Sequence, residues 1–95
     1  MSVAFLYNFD ELKAYIMDFI QYQIDIVKES IHQADERIAK LEAKINSIKS
    51  IPDEKTRIEL GYAQQDTERA KEYRNKLIVK YDLLEQQFAR ELCKS

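Results

Sequence analysis

Residues 24–48 read IDIVKESIHQADERIAKLEAKINSI. Ile24, Ile31, Ile38 and Ile45 recur every seven residues, and Val27, Ala34, Leu41 and Ile48 recur at the same interval three residues later. Apolar residues at both a and d over more than three heptads, with β-branched Ile at every a, are the pattern of a coiled-coil helix. Upstream of this stretch no Gly or Pro occurs at all, and downstream the first breaker is Pro52. The first helix is therefore long.

Its start is predicted near residue 9. Asn8-Phe9-Asp10-Glu11 has the form of a capping box, and Tyr7 and Leu12 are spaced as a hydrophobic staple. Its end is predicted near residue 49. Ser50-Ile51-Pro52-Asp53-Glu54 then reads as a turn, because Pro fits only the first turn of a helix and the acids suit the next helix's N-terminus. Ser50 or Ile51 is the expected cap, and Thr56-x-x-Glu59 is a second start signal, so the turn is set at about 50–55 and the second helix at about 56–92. In that helix Ala70, Tyr73, Leu77, Tyr81, Leu84, Phe88 and Leu92 follow a 3-4-4-3-4-4 spacing, nearer an eleven-residue period than a heptad. A short turn between two long helices implies an antiparallel hairpin, a single all-α domain over residues 1–95.

Composition agrees. The 95 residues contain one Gly, one Pro, one Cys and no Trp, with 34% charged and 45% hydrophobic residues. Such a chain lacks the turn residues of a β-rich fold and the glycines of a phosphate-binding loop. A net charge of −2 gives no basic footprint for nucleic acid. The charge is uneven, however. Residues 1–30 carry Asp10, Glu11, Asp18, Asp25 and Glu29 against only Lys13 and Lys28, whereas residues 61–95 carry six acids and seven bases. No stretch is apolar enough to insert in a membrane, and the first residues lack a signal peptide's basic start. With a lone Cys93 expected to be a reduced thiol, the chain reads as cytoplasmic.

The aromatic residues are divided between the ends of the chain. Phe5, Tyr7, Phe9, Tyr15, Phe19 and Tyr22 precede residue 23, Tyr73, Tyr81 and Phe88 follow residue 72, and Tyr62 stands alone between them. An antiparallel hairpin brings the two groups to its open end. There Leu12, Ile16, Phe19, Ile20 and Val27 read as one stripe, with Tyr15, Met17, Tyr22 and Ile26 outside it and Ile78, Val79 and Leu83 off the second helix's seam. A two-helix hairpin buries one stripe per helix. The surplus predicts a partner and assembly into a four-helix bundle, through dimerisation or with a helical partner. Gly61, inside the second helix, is expected to mark a close approach of the helices or a bend.

Catalytic patterns are lacking. His32 is the only histidine, and it stands at a b position, away from the Ile seam and far along the chain from Cys93. Glu29-x-x-His32 has the spacing of di-iron carboxylate bundles, with Glu68 or Glu72 as further ligands, but f and b positions face away from the seam. The expectation is therefore a non-enzymatic protein–protein interaction module, a small helical adaptor, chaperone or inhibitor, with no cofactor and no metal. It would bury a partner's amphipathic helix against Phe5, Phe9, Leu12, Tyr15, Ile16, Phe19, Tyr22, Ile78, Tyr81, Leu84, Phe88 and Leu92. A structural homodimer is the alternative reading, and a metal-binding bundle using Glu29 and His32 the remote one.

Overall fold

The computed structural model describes the backbone of residues 2–51 and 53–94, and the side chains from Asp10 onward within them. Two helices make up this span: α1 (Ser2–Ile48) and α2 (Glu54–Cys93), joined by a short turn. They lie against each other as a hairpin rod of 78 × 14 × 14 Å. Its radius of gyration is 21.9 Å, against about 12 Å for a compact domain of this length.

Helix α1 starts seven residues before the predicted position. Asn8 to Glu11 lie inside it, so the capping-box reading is corrected. Nothing in Ser2–Tyr7 breaks a helix, and capping residues are tolerated within one when no Gly or Pro stops it. The Asn8 and Tyr7 side chains lie outside the described residues. At the turn the Lys49 NH donates to the Ile45 carbonyl at 2.9 Å and the Ile51 NH to the Ile48 carbonyl at 3.2 Å. Asp53, in extended conformation, is the N-cap of α2, in place of Ser50 or Ile51, and its carbonyl accepts from the Arg57 NH. Pro52 lies outside the described residues. Thr56, expected to open the helix, instead sits half-buried in its first turn.

Burial follows a heptad on both helices. On α1 the seam runs through Lys13, Met17, Ile20, Ile24, Val27, Ile31, Ala34, Ile38, Leu41, Ile45 and Ile48, with Gln23 and Ser30 half-buried on its flank, so the seam read from Ile24 continues backward without a break. On α2 the seam runs through Thr56, Leu60, Ala63, Thr67, Ala70, Arg74, Leu77, Tyr81, Leu84, Phe88 and Glu91, a strict 4-3 alternation, with Asp66 and Ile78 half-buried on its flanks. The eleven-residue period is therefore corrected. Tyr73 and Leu92 are exposed, and the charged Arg74 and Glu91 take the seam. Two helices wound on each other must share one period, and α1 fixes it at 3.5.

The register is marked by polar contacts across the hairpin. The Arg74 guanidinium pairs with Asp35, Lys71 Nζ lies 3.5 Å from Glu42, and Lys13 Nζ donates to the Lys94 carbonyl. Lys13 is thus level with the end of α2, and α1 from Ser2 to Leu12 runs past that end. The tightest packing joins Ile20, Ile24, Val27 and Leu84, with Ile31, Leu77, Tyr81 and Phe88 against them. Toward the turn the fully buried residues of α2 are all small. Ala63, Thr67 and Ala70 are buried there, and the Thr67 hydroxyl is satisfied by the Ala63 carbonyl at 2.8 Å. Gly61 corrects another expectation: a Cβ built there meets nothing within 4 Å, so it marks no close approach of the helices, and α2 continues through it.

Candidate partner-binding face

With the seam of α1 fixed, the opposite side of its first half can be read. Leu12, Tyr15, Ile16, Phe19, Tyr22 and Ile26 are all exposed. They fall at c, f and g positions; Leu12, the neighbours Tyr15 and Ile16, Phe19, Tyr22 and Ile26 follow at steps of three or four residues along one stripe, roughly 140° around the helix from the seam centre. Tyr15 is 75% and Phe19 60% exposed, the values of side chains that touch little else. The stripe expected from the sequence was a mixture. Ile20 and Val27 belong to the hairpin seam, and so does Met17, which had been set outside it. Tyr15, Tyr22 and Ile26 join Leu12, Ile16 and Phe19 on the outer face.

The residues predicted to meet a partner therefore divide. Leu84 is 7% exposed and Tyr81 and Phe88 pack on the same core cluster, so these three close the hairpin and are not part of its free surface. Ile78 is half-buried at the edge of the seam, and Leu92 is exposed beside it. The side chains of Phe5 and Phe9 lie outside the described residues. On α2, Val79 and Leu83 add exposed apolar surface.

Charge around the stripe is one-sided. Glu11, Asp18 and Asp25 recur at b positions along its edge, all exposed, and Asp25 accepts from Gln21 Nε2 at 3.0 Å. The two cations of this segment are turned toward α2. Lys13 donates to the Lys94 carbonyl, and Lys28 Nζ lies 5.9 Å from the centre of the Tyr81 ring, a cation–π distance. The Tyr81 hydroxyl is held above the ordinary tyrosine range, first by its hydrogen bond to Glu85, then by burial and the charges of Glu85 and Asp82.

Farther along α1 the outer face changes character. His32 Nε2 lies 3.0 Å from Glu36 Oε1, and Gln33 Nε2 donates to Glu29 at 3.4 Å, all on exposed side chains. Glu29 and His32 are thus engaged in one-turn surface pairs. Among the described residues no three His, Cys, Asp or Glu side chains converge on a point that could hold a metal ion. Cys93 is exposed at the open end, level with the start of the stripe and far from His32. No described helix is long and apolar enough to cross a membrane. Comparison with protein-family models, with curated proteins and with solved structures finds no match to this chain.

Proposed function

We propose that this chain is a non-enzymatic protein–protein interaction module, a small helical adaptor, chaperone or inhibitor, whose α1 buries an amphipathic helix of a partner protein. The observation that carries this reading is the exposed stripe Leu12, Tyr15, Ile16, Phe19, Tyr22 and Ile26, on a helix whose seam is already occupied by α2. Helix-in-groove recognition uses apolar anchors at this spacing. Surface area supports it as well. The chain exposes 7768 Å², about 2,000 Å² more than a compact monomer of 11.3 kDa. That excess is of the size that a stable protein interface covers. The exposed lone thiol of Cys93 fits a reducing compartment such as the cytoplasm.

A structural homodimer, closing a four-helix bundle, is the second reading. The observation favouring it is that Leu83 of α2 is exposed at the level of Ile26, so apolar surface reaches both helices as a self-complementary patch requires.

A photo-crosslinking side chain placed at Tyr15 or Tyr22, in cells that express the protein, tests the proposal. A discrete crosslinked product with another protein is expected from these positions and not from Lys40 on the polar half of α1. Crosslinks only to a second copy would select the homodimer. Equal, diffuse labelling from all three positions would remove the stripe as a recognition surface.

A further inference from the structure

The stripe has an electrostatic edge that narrows what it can bind. We propose that the outer face of α1 from Leu12 to Ile26 docks a basic amphipathic helix, one with an apolar stripe and a row of Lys or Arg beside it. This rests on the reading of that face as a helix-binding surface.

Glu11, Asp18 and Asp25 stand one heptad apart, so their carboxylates line the stripe at intervals of roughly 10 Å. Among the described residues none of the three forms an ion pair, and the Gln21 amide that bonds Asp25 is neutral and leaves its charge uncompensated. Lys13 and Lys28, the cations of this segment, are both committed to the α2 side. The free face is thus apolar in its middle and negative along one edge. Leu12 to Ile26 spans four helical turns, about 21 Å, enough for anchors at i, i+3 or i+4, i+7 and beyond on the incoming helix.

The same charges weigh against the other occupants. If α1 packed antiparallel on its own copy, each acidic row would face its equivalent, and like charges facing each other penalise a pairing. Over the matching length α2 exposes only Leu83 and Leu92 as large apolar side chains, too few to cover six. An anionic lipid surface would be repelled by the row that attracts a basic helix.

The test uses the full-length protein and two synthetic peptides of about 18 residues, identical in their Leu and Phe stripe, one with Lys and the other with Glu along its edges. Fluorescence anisotropy at low ionic strength is expected to show the Lys peptide binding at least about tenfold more tightly. Added salt should shrink that difference. Asp18→Lys with Asp25→Lys should reverse it, and Phe19→Ser should weaken both peptides while circular dichroism shows unchanged helicity. Equal affinity for the two peptides would overturn the basic partner but leave helix docking intact. Binding of neither peptide, or binding indifferent to Phe19→Ser, would overturn both. Light scattering that finds a dimer, split by Phe19→Ser, would assign the face to a second copy and overturn the proposal.

Discussion

The two halves of the rod use one heptad to different ends. Toward the turn, α1 presents Ile38, Leu41 and Ile45 to the small side chains Ala63, Thr67 and Ala70, and only Ile48 meets a large seam residue, Leu60. The small residues are covered by the large ones, but they cannot cover them in return, and the isoleucines remain half-exposed. Toward the open end both helices bring bulk: Ile20, Ile24 and Val27 meet Leu84, with Tyr81 and Phe88 around them. The most regular stretch of sequence is therefore not the most deeply packed. Regular spacing fixes which face turns inward, whereas side-chain volume on both partners decides how dry the seam becomes. The outer faces differ too. Over the open half α1 is apolar outside as well as inside, while toward the turn the outside carries Glu29, His32, Gln33, Glu36 and Lys40.

This contrast can be broken from either end. The largest effect is expected at the open half, where Leu84→Ala removes a buried side chain from the tightest cluster. Denaturant unfolding should show a loss of about 2–5 kcal/mol. Next comes overpacking near the turn. Ala63 is 3% exposed, and Ala63→Leu should cost about 1–3 kcal/mol by forcing the helices apart. A smaller cost at that site would mean the half-exposed isoleucines can shift to make room. Gly61→Ala sharpens the comparison in the opposite sense. A methyl group there meets nothing, so thermal melting should rise, by about 0.5–1 kcal/mol of stability. The smallest change is expected at the middle of the rod. Asp35→Asn leaves the partly exposed Arg74 without its carboxylate partner and should cost about 0–1 kcal/mol, fading in high salt.

What could be read from the residues follows the same division. The hairpin, its single turn and the inward face of Ile24–Ile48 were legible, because a sustained heptad and one break leave little choice. The seam of α2 was legible only in part: Ala70, Leu77, Tyr81, Leu84 and Phe88 lie in it, but two other apolar residues mislead. Tyr73 and Leu92 are apolar yet exposed, while Arg74 and Glu91 are charged yet lie in the seam. Arg74 can do so because a long aliphatic stem packs while its guanidinium reaches Asp35 at the rim. The signal that identifies it is the requirement that α2 keep the period of α1. The outer stripe was partly hidden for a related reason. With apolar residues around most of the helix between Leu12 and Val27, hydrophobicity alone does not separate inside from outside. Extending the heptad back from Ile24 does, since it assigns Met17 and Ile20 to the seam and Phe19 to the surface. The start of α1 was misplaced because a capping signature is permissive, and no breaker precedes it.

Under the proposed function, the exposed outer row of α1 contributes nothing to the hairpin itself and is left free for a partner. Urea unfolding of the purified protein and of its Phe19→Ser/Tyr22→Ser variant, each at a dilute and a hundredfold higher concentration, tests it most directly. The midpoints are expected to agree within about 0.5 kcal/mol of stability and not to move with concentration, as for exposed positions. A variant destabilised by more than about 2 kcal/mol, or a wild-type midpoint that rises with concentration while the variant's does not, would contradict it.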